Sequence, residues 1–252
     1  IHSPRWSPEK EKIAFSIQTH PADKSIRLSQ GIHIYDLVSK EFKRIGPKIG
    51  FSYLAWSPDG KAIACATLGN IYVIEGIDAR FVRYHRIYSR KRWEGIPESL
   101  EWAPWNAIIF TWRGNFGTKK GLPADRTQGD YKIFSMDPEE KYPRPKIFSK
   151  SGFGVSFPIP VDKEGKIIYC LFPNDLSTSK IMMRNFLTDN QETELLSSGP
   201  MPPFIIPVFW KKNSGELYFL KERQLHLLFA VNKIDLVLSS TVISADYRKG
   251  VN

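Results

Sequence analysis

Apolar positions in this chain fall in short runs, each bounded by turn-forming residues. The clearest case is Leu54-Ala55-Trp56-Ser57-Pro58-Asp59-Gly60-Lys61-Ala62-Ile63-Ala64, an apolar run, a tight turn and a second apolar run. Arg5-Trp6-Ser7-Pro8-Glu9-Lys10-Glu11-Lys12-Ile13-Ala14-Phe15 has the same form. Glu101-Trp102-Ala103-Pro104-Trp105-Asn106-Ala107-Ile108-Ile109-Phe110 has it a third time. A phrase that returns about every 50 residues marks a repeat architecture.

Each repeat reads as a set of strands. In the second, 53–57 is a short strand, and Pro58-Asp59-Gly60 turns with glycine supplying a positive φ. The run 61–67 is apolar enough for a strand buried on both faces. Strands at 70–75 and 80–88 complete four. The first repeat predicts strands at 13–18, 31–37 and 41–45, the third at 108–112, 131–136 and 146–148. The fourth predicts 155–160, 167–172, 180–187 and 194–196, and the fifth 205–210, 216–220, 224–230 and 236–240. Gly60, Gly165 and Gly215 fix the register, and five residues after each comes an apolar residue, Cys65, Cys170 and Leu220. On that register the two cysteines occupy one position in two repeats. Repeats one and three lack the turn glycine, so their turns are expected to differ. A 3.6-residue helical period is almost absent.

Four-stranded antiparallel units of this length, repeated, predict an all-β fold, a β-propeller. The blades span roughly 1–48, 49–92, 93–150, 151–202 and 203–252, a single domain over 1–252. Five are visible, as a complete ring or as part of a six-bladed one. The sequence opens on Ile1 rather than Met, so an upstream segment is expected.

The Trp-Ser-Pro-Asp-Gly-Lys phrase flanked by strands resembles the TolB-like propeller repeat, also found in the propeller domains of prolyl-oligopeptidase-type peptidases. The match is strong over 54–66, good over 5–15 and partial over 101–110, where Trp105-Asn106 replaces Asp-Gly. Over 161–170 and 208–220 only the turn and the strand survive. The Trp-Asp and Gly-His signatures of WD repeats are missing. The resemblance implies a propeller that contacts partner proteins and a periplasmic or extracytoplasmic location. The hydrolase domain of the peptidases has no counterpart here, since no Gly-x-Ser-x-Gly elbow occurs.

Strands that alternate in direction put the Pro-Asp-Gly turns at one end of each blade. The second-to-third loops and the blade connections then lie at the other end. The long irregular segments 19–30, 90–97 and 113–130 all fall there, and long loops in compact folds carry function. Charge points to the same place. The chain carries a net +10, and 80–93 contains six Lys or Arg and no acid. The candidate binding residues are Arg83, Arg86, Arg90, Lys91, Arg92, Trp93, Trp112, Arg113, Lys119 and Lys120. Basic residues interleaved with aromatics suit an anionic partner. A protein surface is favoured over nucleic acid, and edge protection of an outer strand is the structural alternative.

Other chemistry is sparse. Residues 114–121 fail the phosphate-loop spacing. The five histidines and two cysteines draw no zinc site, no cofactor is implied, and two cysteines make no disulfide scaffold, so both are expected to be buried thiols. No run reaches the length of a membrane span. The reading is a non-catalytic binding platform. The alternatives are a lyase or hydrolase acting at the central channel, or the gating propeller of a larger peptidase or sensor protein.

Overall fold

A computed structural model of the chain describes residues 2–18, 30–67, 70–77, 83–89, 94–115, 131–140, 146–147, 153–173, 178–185, 187, 192–197, 206–211, 216–221, 224–229 and 234–239. Among them there is no helix. The strands are β1 (His2–Trp6), β2 (Lys12–Ile17), β3 (Gly31–Asp36) and β4 (Phe42–Ile45) in the first blade. The second has β5 (Tyr53–Trp56), β6 (Ala62–Thr67), β7 (Asn70–Glu75) and β8 (Arg83–Ser89). The third has β9 (Glu94–Trp102), β10 (Ile108–Asn115), β11 (Tyr131–Met136) and β12 (Lys146–Ile147). The fourth has β13 (Phe153–Pro160), β14 (Lys166–Pro173), β15 (Lys180–Asn185) and β16 (Glu192–Ser197). The fifth has β17 (Ile206–Lys211), β18 (Glu216–Lys221), β19 (Gln224–Phe229) and β20 (Ile234–Ser239).

Each blade is a separate four-stranded sheet whose strands follow chain order and pair antiparallel. These are the blades of an all-β propeller. They group into two compact units, Ile1–Ser149 with three blades and Lys150–Asn252 with two. In the first unit β1 packs beside β5, and β5 beside β9. In the second β13 packs beside β17. The first strand of each blade is thus its inner strand.

What joins the blades is packing between faces. Along β6 every second residue is Ala, and Ala62, Ala64 and Ala66 turn one way with Ala55 and Val73. They meet the large side chains of the third blade, Phe110, Trp112 and Phe134. Phe110 and Phe134 stack at 5.4 Å between ring centroids. The intervening Ile63 and Cys65 turn the other way, with Leu54, Trp56 and Ile74, onto Ala14, Ile32 and Ile34 of the first blade. A sheet with two buried faces cannot stand alone, which is why its strands read as apolar runs. In the second unit Ile168 and Ile181 meet Leu217, Phe219 and Leu228 in the same manner.

The turn between the first two strands is built from the recurring phrase. The Ser57 N–H donates to the Ala62 carbonyl at 2.8 Å, and the Gly60 N–H to the Ser57 carbonyl at 3.0 Å. The Ser57 hydroxyl accepts from the Ala62 N–H at 2.9 Å and donates to the Asp59 carboxylate at 2.6 Å. That hydroxyl bond leads the effects that hold the Asp59 carboxyl below its ordinary range. Ser7 repeats the role toward Lys12.

The turn of repeat one matches that of repeat two in backbone, contrary to the sequence expectation, whereas the turn of repeat three differs as expected, closing one residue sooner, from Ala103 to Ala107. Lys10 (φ 61°) and Asn106 (φ 62°) occupy the left-handed position that Gly60 (φ 71°) holds in the second repeat. Asn tolerates that region, and its side chain is bonded on both sides here, to Trp102 Nε1 at 3.0 Å and Glu139 at 2.7 Å. The fourth turn has one residue more before its glycine, because Val161 pairs with Lys166. Cys170 therefore corresponds to Ala66 rather than to Cys65. The cysteines point to opposite faces of their blades, since one residue of slip exchanges faces. The turn proposed at 213–215 lies outside the described residues.

The inner strands have an unpaired edge, and four of the five carry a bulge. Pro4, Pro97, Pro158 and Pro207 sit in or beside those bulges. A missing N–H and a broken ladder stop an edge from recruiting another strand.

Two substitutions test these contacts by urea unfolding. Lys10→Gly relieves a left-handed lysine and should leave stability unchanged or raise it by under about 1 kcal/mol. Ala64→Leu overfills the face against the third blade and should cost about 1–3 kcal/mol.

Candidate functional site

Antiparallel order puts the tight turns at one end of each blade and the remaining crossings at the other. Within the first unit, the ends of β2, β6 and β10 and the starts of β3, β7 and β11 share the long-loop end. The feet of the first long loop are fixed there. Gln18 donates from Nε2 to the Phe51 carbonyl at 3.0 Å, and the Phe51 N–H donates to the buried Ser16 hydroxyl at 3.2 Å. A Cβ on Gly50 would stand 3.1 Å from Gln18 and 3.2 Å from Gln30, so the connection between blades one and two passes closely between those side chains. Residues 19–29 of that loop lie outside the described residues.

The third blade differs from the second at this end. Its ladder continues past the point where that of the second blade stops, through Arg113 opposite Ile96, Gly114 opposite Gly95 and Asn115 opposite Glu94. With Trp112 opposite Pro97, the four extra pairs carry it about 13 Å further. Two sequence boundaries are corrected as a result. Glu94–Pro97 belongs to β9 and not to a blade connection, and Arg113–Asn115 belongs to β10 and not to a loop.

The candidate binding residues divide into three groups. Arg83 and Arg86 lie on β8, the outermost strand of the second blade, opposite Glu75 and Tyr72 of β7. Arg113 is on β10, opposite Ile96 on one side and Tyr131 on the other. Arg90, Lys91, Arg92, Trp93, Lys119 and Lys120 lie outside the described residues. Their segments nevertheless join described chain at adjacent points, since residue 93 precedes Glu94, residue 116 follows Asn115, and Glu94 faces Asn115. Trp112 stands apart from the set. It is 1% exposed and packs with Phe110 against the alanine face of the second blade, so it is a core residue and not a contact surface.

A second cluster lies on the inner strands. Arg5 of β1 donates from Nε to the Leu54 carbonyl of β5 at 3.0 Å and from Nη2 to Glu101 of β9 at 2.9 Å. One side chain thus links three blades. Trp56 Nε1 donates back to the Arg5 carbonyl at 3.1 Å, and the Leu54 N–H donates to the Ser3 hydroxyl at 3.2 Å. Glu101 keeps about a third of its side chain accessible, 32%. Loss of solvent still dominates, pushing its carboxyl above the usual glutamate range while Arg5 pulls it back in part. Sequence reading missed this pair, although the signal was present. Arg5 and Glu101 both stand one place before the tryptophan of the phrase, where the second repeat has Ala55.

Both cysteines are free and buried, and burial raises both thiols above their ordinary range. A thiol reagent should leave the native protein unlabelled and modify Cys65 and Cys170 only on denaturation. Trp112→Ala should cost about 3–5 kcal/mol in urea unfolding, the loss expected of a large aromatic in a packed core.

No protein-family model matches the chain, and no curated protein sequence does. Solved structures do. An oligogalacturonate lyase in complex with manganese superposes with a TM-score of 0.60 at 10% identity, covering 93% of this chain and 63% of that one. A putative TolB from Agrobacterium tumefaciens gives 0.55 at 17% identity over 79% of this chain and 65% of that one. The β-propeller domain of Myceliophteria thermophila Cps50 (Swd1) gives 0.52 at 10% identity over 96% and 86%. The chain thus spans just under two thirds of the lyase and of the TolB protein. Identities this low speak to fold alone, and the fold they share with this chain is the β-propeller.

Proposed function

We propose that this propeller is a non-catalytic binding platform whose long-loop end, over the first three blades, engages an acidic surface of a partner protein. The observation that carries the reading is the pairing of Glu94 with Asn115. Arg90, Lys91 and Arg92 shortly precede Glu94 in the sequence, and Lys119 and Lys120 follow Asn115 by a few residues, which supports one location for them. Arg113 is two residues from that ladder end; on β8, Arg86 lies midway, opposite Tyr72, and Arg83 at the opposite end, opposite Glu75. Like charges gathered this way raise the local concentration of an anionic partner and speed its docking. The likeness to a TolB protein supports a partner-binding role through fold only.

The test uses the full chain and a fluorescent polyglutamate peptide as the acidic probe. Affinity read by anisotropy should fall as salt is raised. Replacing Arg83, Arg86, Arg90 and Arg92 together by Gln should weaken binding at least about tenfold and flatten the salt dependence, with the melting temperature unchanged. Equal binding by both proteins would leave the arginines as guards of the outer strand. Tighter binding of a DNA duplex than of the peptide would move the reading to nucleic acid.

A further inference from the structure

The tryptophan of the recurring phrase belongs to a row that the second and third blades turn toward the blade before them. In the second blade the row is Trp56, Ile63 and Ile74, opposite one another on β5, β6 and β7, all buried against the first blade. In the third it is Trp102, Ile108 and Met136, packed against the second. In the first blade the row runs through Trp6, Ile13, Tyr35 and Phe42, one residue from each strand and about 14 Å across. Here both ends of the row are open. Trp6 is 57% exposed and Phe42 56%, whereas Trp56 is 8% exposed. The cover over this face stops short of the row, since Phe15, Ile17 and His33 further along the same face are buried.

The open row is held firmly and is basic at its margin. Phe42 is fixed by Tyr35 at 4.6 Å and, edge-on, by Phe15 at 6.2 Å between ring centroids. The Leu37 N–H donates to the Glu11 carbonyl at 2.8 Å, which ties the two turns of this blade side by side. In the turn between β3 and β4, Val38 is exposed. Lys10 and Lys40 hold the left-handed position of the two turns, at φ 61° and 62°. Arg44 follows Phe42 on the same face, opposite His33. The acids of these turns are mostly engaged elsewhere. Asp36 accepts from the N–H groups of Val38 and Ser39, both at 2.9 Å. Glu41 lines a small groove with Lys43, which donates to the Ile77 carbonyl of the second blade at 2.7 Å. The Glu9 carboxylate oxygens lie 2.8 Å from where a Cβ on Gly60 of the second blade would stand. Glu11 remains, against three cations.

We propose that the tight-turn end of the first blade is a docking surface for an anionic lipid membrane. Tryptophan and phenylalanine beside lysine make an interfacial anchor. The rings enter the headgroup boundary, and the cations meet lipid phosphate and carboxylate. Protein interfaces favour aromatics too, but they are depleted in lysine. A row already fixed by ring contacts and tied turns loses little entropy on insertion. The attachment is peripheral, made by side chains of one sheet and its turns. It leaves the opposite, long-loop end of the blade free for a protein partner.

Co-sedimentation of the full chain with phosphatidylcholine vesicles, with and without phosphatidylserine, tests this. The chain should pellet with the phosphatidylserine vesicles, and less so as salt is raised. Trp6→Ser with Phe42→Ser should weaken that binding at least about tenfold, leaving polyglutamate affinity and the melting temperature unchanged. Lys10→Gln, Lys40→Gln and Arg44→Gln together should also weaken it at least about tenfold. Brominated acyl chains should quench the tryptophan fluorescence of the natural protein. Trp6→Phe, which keeps an apolar ring, should still bind and lose most of that quenching. Equal pelleting of the natural chain and the Trp6/Phe42 double variant overturns the proposal. A greater loss on replacing Arg86, Arg90 and Arg92 by Gln also overturns it and moves lipid binding to those arginines. A dimer in analytical ultracentrifugation that the double variant dissolves would assign the row to a second copy of this chain instead. Should the double variant fail to fold, the quenching of Trp6→Phe decides, and unchanged quenching overturns the proposal.

Discussion

Close contact between a small-residue face and a large-residue face is the constraint on which this structure rests. Ala55, Ala62, Ala64 and Ala66 let the third blade approach near enough for Phe110, Trp112 and Phe134 to fill the space. The same sheet shows its larger side chains to the first blade, where Ala14 and the isoleucines receive them. Apolar burial supplies the driving force, and complementary size makes the burial specific. Neither face has meaning for a blade taken alone, so the stability of each sheet belongs to its neighbours.

Polar groups then decide details that packing leaves free. The turn serine bonds backbone groups left over at the strand ends, and a left-handed residue closes the turn. The inner edges are handled by exclusion, with proline and bulges removing donors where another strand could add. On the inner strands the partly accessible Arg5–Glu101 pair links the first blade to the third.

Much of this was legible in the residues. The period-2 and continuous apolar runs placed nearly every strand, and β7 and β11 fell on their predicted limits. What misled was the use of single residues as markers. Glycine was read as a requirement of the turn, yet lysine and asparagine adopt the same φ when the surrounding bonds fix them. Glycine was also read as a ruler, and its place one residue later in a fourth turn of equal length reversed the face assigned to Cys170. Trp112 was read as a partner contact because it preceded a basic loop, but its side chain alternates inward with Phe110 and Ile108. The Arg5–Glu101 pair was hidden for a different reason. A contact spanning 96 residues cannot be seen locally, and it shows only when the repeats are aligned and their charges compared.

The long ladder of the third blade has a kinetic meaning. Its last pair, Glu94 with Asn115, stands about 13 Å beyond the corresponding end of the second blade. That distance is more than the range of about 8 Å over which charge is felt in physiological salt. On the proposed function, charge at that ladder end would act on a partner's approach rather than on its final contacts. The frequency of productive collisions and the lifetime of such a complex would then be governed by different parts of the molecule. The first can be tuned by charge at the ladder end, and the second by whatever surface is reached afterwards.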